Sequence, residues 1–326
     1  MKLKSSPRPN PSVLALSGGV GGAKLALGLY RVLDPWDLAI AINTGDDFSH
    51  IGLPIAPDID TIMYTLSGES NAELGWGRTG ETWNFMEQFG RLGGEKWFNL
   101  GDGDLAVHMR RLQLLQAGES LSAITDQFFQ AHGIAAHALP ASDDPVRTMI
   151  HAADGRQLIF QNYFVEERCK PEVRDFTYAG ATSAVANPGI IAALRDPALR
   201  AVVLCPSNPF VSINPILAVP GIRDALCACP APIVGVSPIV GGAAIKGPLA
   251  KMFYELGQPA NCTSVLDHYR DFLTGFIVDH ADAEEAKGWD IPTCVTSTIM
   301  KTLEDRDALA VAALEFAGEL ARHDRK

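Results

Sequence analysis

Four aspartates crowd one short stretch of the chain. Asp46 and Asp47 end Asn43-Thr44-Gly45-Asp46-Asp47, and Asp58 and Asp60 stand in Pro57-Asp58-Ile59-Asp60-Thr61. Adjacent carboxylates repel unless something positive sits beside them. A hard divalent cation such as Mg2+, which takes oxygen ligands and keeps several waters, is their natural partner. The plainer readings are a solvated Gly-Asp turn and a helix start. In a first turn, proline and acidic residues complement the helix dipole, each charge contributing about 0.3–1 kcal/mol. Two acidic pairs bracketing one loop exceed what capping requires, so the pattern favours a metal or general-base site.

A second cluster, Ser17-Gly18-Gly19-Val20-Gly21-Gly22-Ala23-Lys24, follows an apolar run and opens a helical one. Its glycines let the backbone turn sharply, and the free N–H groups of a helix start can cradle a phosphate. It fits neither common template. Ala23 separates Gly22 from Lys24 and Leu25 replaces the P-loop hydroxyl, while a dinucleotide fingerprint begun at Gly19 would need glycine or alanine at Lys24. The alternative is a tight strand-helix turn with a surface lysine.

Weaker signals lie further on. Asp104, His108 and Arg111 fall at i, i+4 and i+7 of one predicted helix, either a substrate-facing strip or a polar outer face. Gly75-Trp76-Gly77-Arg78 frames an aromatic that could stack on a flat ring or plug a seam between lobes. Ser207-Asn208-Pro209-Phe210-Val211-Ser212-Ile213 and the segment Ser237 to Pro248 are polar loops after apolar runs. Their Asn and Ser side chains could read a base or ribose, and Lys246 with Lys251 could meet phosphates.

The elements that must carry these residues are strands and helices in alternation. Val13–Leu16, Leu38–Ile42, Ala201–Cys205 and Ile233–Val236 are all-apolar runs, the signature of strands buried on both faces. A helical stretch, Ala23–Leu33, joins the first two and predicts a parallel, right-handed βαβ unit. Every polar or glycine-rich cluster then sits past a strand's carboxyl end, where open α/β sheets bind ligands. Helical spacing also marks Thr82–Leu92, Asp104–Gln116, Leu121–His132, Pro248–Leu256 and Thr302–His323. Asp154-Gly155 between Thr148–His151 and Gln157–Val165 reads as a hairpin. The expected fold is α/β: a Rossmann-like, mostly parallel sheet with helices on both faces. Residues 1–11 read as a disordered lead-in and 12–326 as a single domain, with an inserted, mainly helical and hairpin lobe at about 68–175.

Composition narrows the function. A net charge of −11 without a basic run argues against a nucleic-acid partner. No apolar stretch approaches the roughly 20 residues that span a bilayer, and no apolar segment follows the early lysines as in a signal peptide. A cytoplasmic address without membrane association follows. The six cysteines (Cys169, Cys205, Cys227, Cys229, Cys262, Cys294) form no CxxC pair and read as reduced thiols rather than a zinc site.

Taken together, the segments resemble the 2-phospho-L-lactate transferase family of coenzyme F-420 biosynthesis. The resemblance rests on Gly18–Lys24, Asn43–Asp47, Pro57–Leu66, Leu100–His108, Ser207–Ile213 and Ser237–Pro248, six blocks in order over most of the chain. It implies transfer of a three-carbon phosphoacid from a guanosine diphosphate adduct to the ribityl hydroxyl of the deazaflavin Fo, with release of GMP. It also implies Mg2+ and a possible homodimer. Carried over residue by residue, Asp46, Asp47, Asp58 and Asp60 become the acidic cluster for metal, with Asp60 and Asp47 catalytic and Asp60, Asp47, Asn99 and His108 facing Fo. Gly18, Gly19, Val20, Gly21, Gly22, Lys24, Ser207, Asn208, Ser212 and Lys246 become the nucleotide and phosphate cradle. Two positions depart from the family pattern. Val20 stands where many relatives have threonine, and Asn99 where several have a basic residue. The three-carbon arm, phospholactyl, phosphoenolpyruvyl or phosphoglyceryl, is left open. Two rivals are weighed. A non-catalytic nucleotide-sugar-binding regulator of related fold would have glycines and serine after the acidic pair, where Phe48–Leu53 stands. An NAD-dependent oxidoreductase would need an acidic residue in place of Asn43.

Overall fold

A computed structural model of the chain describes residues 10–71, 74–244 and 247–323. Residues 1–9, most of the expected lead-in, and Lys246 lie outside them. The first apolar run forms strand β1 (Val13–Ser17), buried along its whole length. Helix α1 (Gly19–Val32) follows without a connecting loop, and β2 (Leu38–Ile42) returns parallel to β1. A short antiparallel hairpin, β3 (Phe48–His50) and β4 (Leu53–Ile55), then feeds α2 (Pro57–Ser67). Proline opens α2, and Gly68 closes it in the left-handed conformation at φ +77°.

Three helices come next: α3 (Asn84–Arg91), α4 (Asp102–Gln116) and α5 (Leu121–Ala131). The expected lobe at 68–175 is then interrupted, because β5 (His137–Pro140) rejoins the main sheet beside β2. A separate antiparallel sheet of β6 (Arg147–Ala152), β7 (Gln157–Ile159) and β8 (Val173–Ala179) follows, with β6 in the middle. The Asp154-Gly155 turn joins β6 to β7 as expected, with Gly155 at φ +88°. The strand expected over Gln157–Val165 stops at Ile159, and Asn162–Glu166 winds into a π-helical turn.

The second half alternates again: α6 (Pro188–Arg195), β9 (Ala201–Leu204), α7 (Asn214–Leu217), α8 (Ile222–Cys227), β10 (Ile233–Val236), the small pair β11 (Ile239–Val240) and β12 (Ala243–Ala244), α9 (Leu249–Glu255), α10 (Cys262–Tyr269), β13 (Gly275–Val278), α11 (Ala283–Ala286), β14 (Thr293–Val295) and α12 (Leu303–His323). The main sheet has seven strands, ordered β14-β13-β10-β9-β1-β2-β5, and every pairing in it is parallel. From β1 the chain builds outward through β2 and β5, then crosses to the other side for β9 onward. The order therefore reverses between β1 and β9, the switch point at which such sheets open a crevice beyond their carboxyl ends.

Side chains alternate across the sheet, so β1 sends Val13 and Ala15 to one face and Leu14 and Leu16 to the other. The first face is covered by α1, α2 and α12, the second by α6, α8, α9 and α10 together with β6 and β8. None of the helices among the described residues is long and apolar enough to cross a membrane. The contact of α1 with α12 is tight at Gly28, where an added Cβ would collide with the Arg306 carbonyl oxygen and press on Ala310 Cβ at 3.2 Å. Gly28→Ala would gain up to about 1 kcal/mol of helix propensity but suffer overpacking of about 1–3 kcal/mol. The expected result is a lower urea midpoint. A midpoint equal to or above wild type would show that the two helices part without cost.

Candidate active site

The site is built where β1, β2 and α2 end or begin together. Gly18, extended at φ −154°, precedes α1, and Gly19 takes φ +66°, which disfavours any side chain. The Gly19 N–H donates to Asp58 Oδ1 at 2.7 Å. Asn43, at the end of β2, donates its side-chain N–H to Asp58 Oδ2 at 2.8 Å and to the Val211 carbonyl at 3.1 Å. Its Oδ1 accepts the Gly45 N–H at 2.8 Å. Ser207 grips the loop from β9, accepting the Gly18 N–H and donating to the Gly18 carbonyl. The approach leaves no room for a side chain at Gly18, since a Cβ there would lie 2.7 Å from Asp58 Oδ2 and 2.8 Å from Ser212 Cβ. Asp58 takes the first amide of α1, and Gly19, Val20 and Gly21 border a cavity. Helix starts of this kind can seat an anion.

The carboxylates lie beside it. Asp46, Asp47, Asp58 and Asp60 are all buried. Burial raises the Asp46 carboxyl well above its ordinary range, with the Asp58 charge adding to it. Asp47 is pushed up to about 8 by burial against the pull of Arg147 and Arg111. Asp58 is pushed to about 6, again by burial, despite its bonds from Asn43 and Gly19. Asp46 Oδ1, Asp47 Oδ1 and Asp60 Oδ2 are buried without hydrogen-bond partners. Unpartnered buried carboxylate oxygens are costly unless a cation meets them, so these residues fit a divalent ion.

Helix α4 supplies the rest. Its Asp104, His108 and Arg111 do share a face, as their spacing predicts, but that face turns inward: His108 and Arg111 are buried. Arg111 pairs with Asp60 Oδ1, donates to the Pro54 carbonyl at 3.2 Å and lies 3.1 Å from His108 Nδ1. Burial opposes its charge, yet Asp60 holds the guanidinium above its usual pKa. His108 Nδ1 stands 3.7 Å from Asp60 Oδ2, and its Nε2 stands 3.2 Å from Asp104 Oδ2 without the alignment of a hydrogen bond. Tyr64 donates to Asp104 Oδ1 at 2.6 Å. Burial works to raise the Asp104 carboxyl, but His108, Tyr64 and Arg111 together hold it below its ordinary value.

The ligand atoms of Asp60, Asp104 and His108 thus lie within 4.8 Å of one another. Asp58 is instead occupied by the glycine loop, so the four aspartates have different employment. A second close group, Cys262, Asp282 and Glu285, lies under the Gly241 turn. Asp282 accepts the Gly241 N–H, Glu285 accepts from Thr263, and burial pushes the Cys262 thiol up to about 12. That group binds the turn, and its sulfur stays protonated.

The cavity has a volume of about 630 Å3 and gathers most of the expected residues: Gly18, Gly19, Val20, Gly21, Lys24, Asp46, Asp58, Asp60, Asn99, His108, Ser207, Asn208 and Ser212. Gly22 and Asp47 do not border it. Lys24 Nζ also donates to the Met300 carbonyl at 2.9 Å, and Asn208 Oδ1 accepts the Phe210 N–H at 2.9 Å. The sequence reading did not single out Tyr64, Gln161, Thr298 or the aromatic wall of Trp97, Phe98, Phe160 and Phe164. The one advance signal for Arg111 was its place in the Asp104 strip.

A glycine-loop anion seat facing buried carboxylates at the switch point of a parallel sheet defines an α/β enzyme of the group-transfer class. Comparison with known proteins makes this specific: residues 13–293 match the family described as "2-phospho-L-lactate transferase CofD". The chain belongs to that family and is a transferase of coenzyme F-420 biosynthesis. It is 39% identical to a "Phosphoenolpyruvate transferase" of Kitasatospora aureofaciens over 322 residues, covering 95% of this chain and 99% of that one. A protein of the same name from Mycolicibacterium smegmatis is 36% identical, covering 94% and 98%. A solved structure of a UPF0052-family protein from Bacillus halodurans matches with TM-score 0.62 at 14% identity, covering 93% of this chain and 99% of that one, which bears on the fold alone.

The raised carboxyls have a consequence for stability. Because the folded pKa of Asp47 (about 8) and Asp58 (about 6) exceeds the unfolded value near 3.8, their protons stabilise the fold fully below that value. That stability is lost as the pH climbs through 6 and 8. In a chelator, the melting temperature should therefore fall by a few degrees from pH 6 to pH 8, and Asp47→Asn should flatten the fall. Identical slopes for both proteins in thermal melts would remove Asp47 from this account.

Proposed function

We propose that this enzyme transfers the enolpyruvyl phosphate group of a guanosine diphosphate adduct to the ribityl hydroxyl of the deazaflavin Fo, releasing GMP. The observation that carries the reading is that the α1 anion seat and the Asp46–Asp60–Asp104–His108 acidic group open into one cavity. Relatives that align over nearly their whole length are named for phosphoenolpyruvate, which favours that acid among the three candidates.

In this reading the loop from Gly18 to Gly21 holds the diphosphate through the Val20 and Gly21 amides, with Lys24, while the Gly19 amide stays on Asp58. Ser207, Asn208 and Ser212 border the guanosine side. The free oxygens of Asp46 and Asp47 would hold a divalent ion, proposed as Mg2+, which when bound would neutralise charge on the diphosphate. Arg111 fixes Asp60 through Oδ1 and leaves Oδ2 open to accept the proton of the attacking hydroxyl. The ribityl oxygen forms a new bond to the phosphorus bearing the acid. The bond from that phosphorus to the bridging oxygen breaks, and GMP departs with the electron pair. A homodimer and a cytoplasmic location complete the proposal.

Incubating the purified protein with Fo, Mg2+ and each of the three adducts tests the reading. GMP release with a new, more anionic deazaflavin is expected, fastest with the enolpyruvyl donor. Unchanged Fo with all three donors would overturn it. Asp60→Asn should lower turnover by about 10²–10⁴-fold while circular dichroism stays native, and near-normal turnover would remove Asp60 from the mechanism.

A further inference from the structure

Gln161 is a buried amide that the protein itself leaves unused. It is 6% exposed and borders the main cavity, yet no hydrogen bond joins its side chain to another described residue. Other polar groups of the same wall are held: Ser207 by Gly18, Asn208 by the Phe210 N–H and Thr298 by Asp279. A buried amide without partners is costly unless a ligand meets it. We propose that Gln161 recognises the donor, its amide N–H groups binding the carboxylate of the three-carbon acid being transferred. The inference rests on the transfer reading above.

Its place in the chain selects that group. Ile159, two residues earlier, packs with Trp97, Phe98 and Leu105 on the side of α4, where Asp60 is set to take the acceptor's proton. Phe160 joins the core behind the Ser207–Ile213 loop, with Phe210, Val211 and Leu249, on the nucleotide side. Gln161 comes next and falls between the two, where the group in transit must lie. That group carries a phosphate and a carboxylate. The α1 loop and the ion take the phosphate, which leaves the carboxylate to be met. Phe160, Phe164 and Val165, which border the cavity from the same stretch, are apolar, and ionised aspartates only accept. The Gln161 amide is the donor this stretch offers to an anion.

The segment is also held in place. Asn162–Glu166 follows Gln161 as the π-helical turn, an irregularity frequent at functional sites. Tyr163 within it is fully buried, and its carbonyl accepts the Cys169 N–H at 2.8 Å. Lys251 of α9 donates to the Tyr163 hydroxyl at 3.4 Å and to the Pro171 carbonyl at 2.8 Å. Arg156 pairs with Glu167 just beyond the turn. The rings of Phe160 and Phe164 stack at a centroid distance of 5.3 Å, which fixes the backbone that carries Gln161. A group positioned in this way needs little ordering when the donor arrives.

The test is steady-state transfer by the full chain at saturating Fo and Mg2+ with the enolpyruvyl adduct varied, beside direct titration of GDP. Gln161→Met removes the donors and keeps the length. It should raise the donor KM about 10- to 100-fold, the loss expected for a hydrogen bond to a charged group. Gln161→Glu keeps the shape, so it serves where methionine disturbs the packing, and it sets like charge against the carboxylate. Its donor KM should rise further. The KM for Fo and the affinity for GDP, which has no carboxylate, should be unchanged in both variants, and GDP binding also reports an intact fold. Equal donor KM in wild type and both variants overturns the proposal and leaves the transfer reading standing. A raised Fo KM, or a matching loss of GDP affinity with melting unchanged, also overturns it, by assigning Gln161 to the acceptor or to the guanosine. A wild type that transfers nothing from any adduct overturns both.

Discussion

One buried carboxylate, Asp58, holds the site's framework together. It accepts from the Gly19 amide on one side and the Asn43 side chain on the other, so it binds the start of α1, the end of β2 and the start of α2 at one point. Hydrogen bonds to a charged group contribute about 1.5–3 kcal/mol each, yet burial still lifts this carboxyl to about 6. Desolvation wins over the two bonds in setting its proton affinity. The clamp is therefore strongest when the group is ionised, a state that positive charge in the cavity would favour.

The same balance runs through the neighbouring acids and explains why they differ. Asp60 has a full guanidinium partner in Arg111, Asp104 has Tyr64 and the nearby imidazole, and Asp46 and Asp47 each keep an oxygen with no partner. Identical side chains a few residues apart thus take on anchoring, paired and open roles. The difference comes from which elements pack over them. Helix α4, reached only after a long excursion from α2, supplies the counter-charges.

The central strands were legible in the sequence because β1, β2, β9 and β10 are unbroken apolar runs. β5 escaped notice for a physical reason: at the sheet edge only every second residue is buried, so His137 and Pro140 break the run. β14 is a three-residue edge strand with even less signal. The glycine loop and the acidic pairs were visible as clusters, but their separate duties were not, since the partners of Asp58 and Asp60 come from distant segments. The polar strip on α4 was ambiguous for the same reason. Spacing shows that Asp104, His108 and Arg111 share a face, and only packing decides that the face is buried.

The contact between α1 and α12 bears on how the polypeptide is made. Arg31 and Asp307 meet across that contact as a bidentate ion pair although 276 positions separate them. During synthesis the N-terminal half emerges first, and the apolar flank of α1 must wait for nearly the whole translation before its cover arrives. The phosphate-seating end of the same helix is finished early, while its outer flank stays open to water or to a chaperone until the ribosome has passed residue 320 or so. The nascent enzyme is thus most exposed to misassembly on the side away from its chemistry.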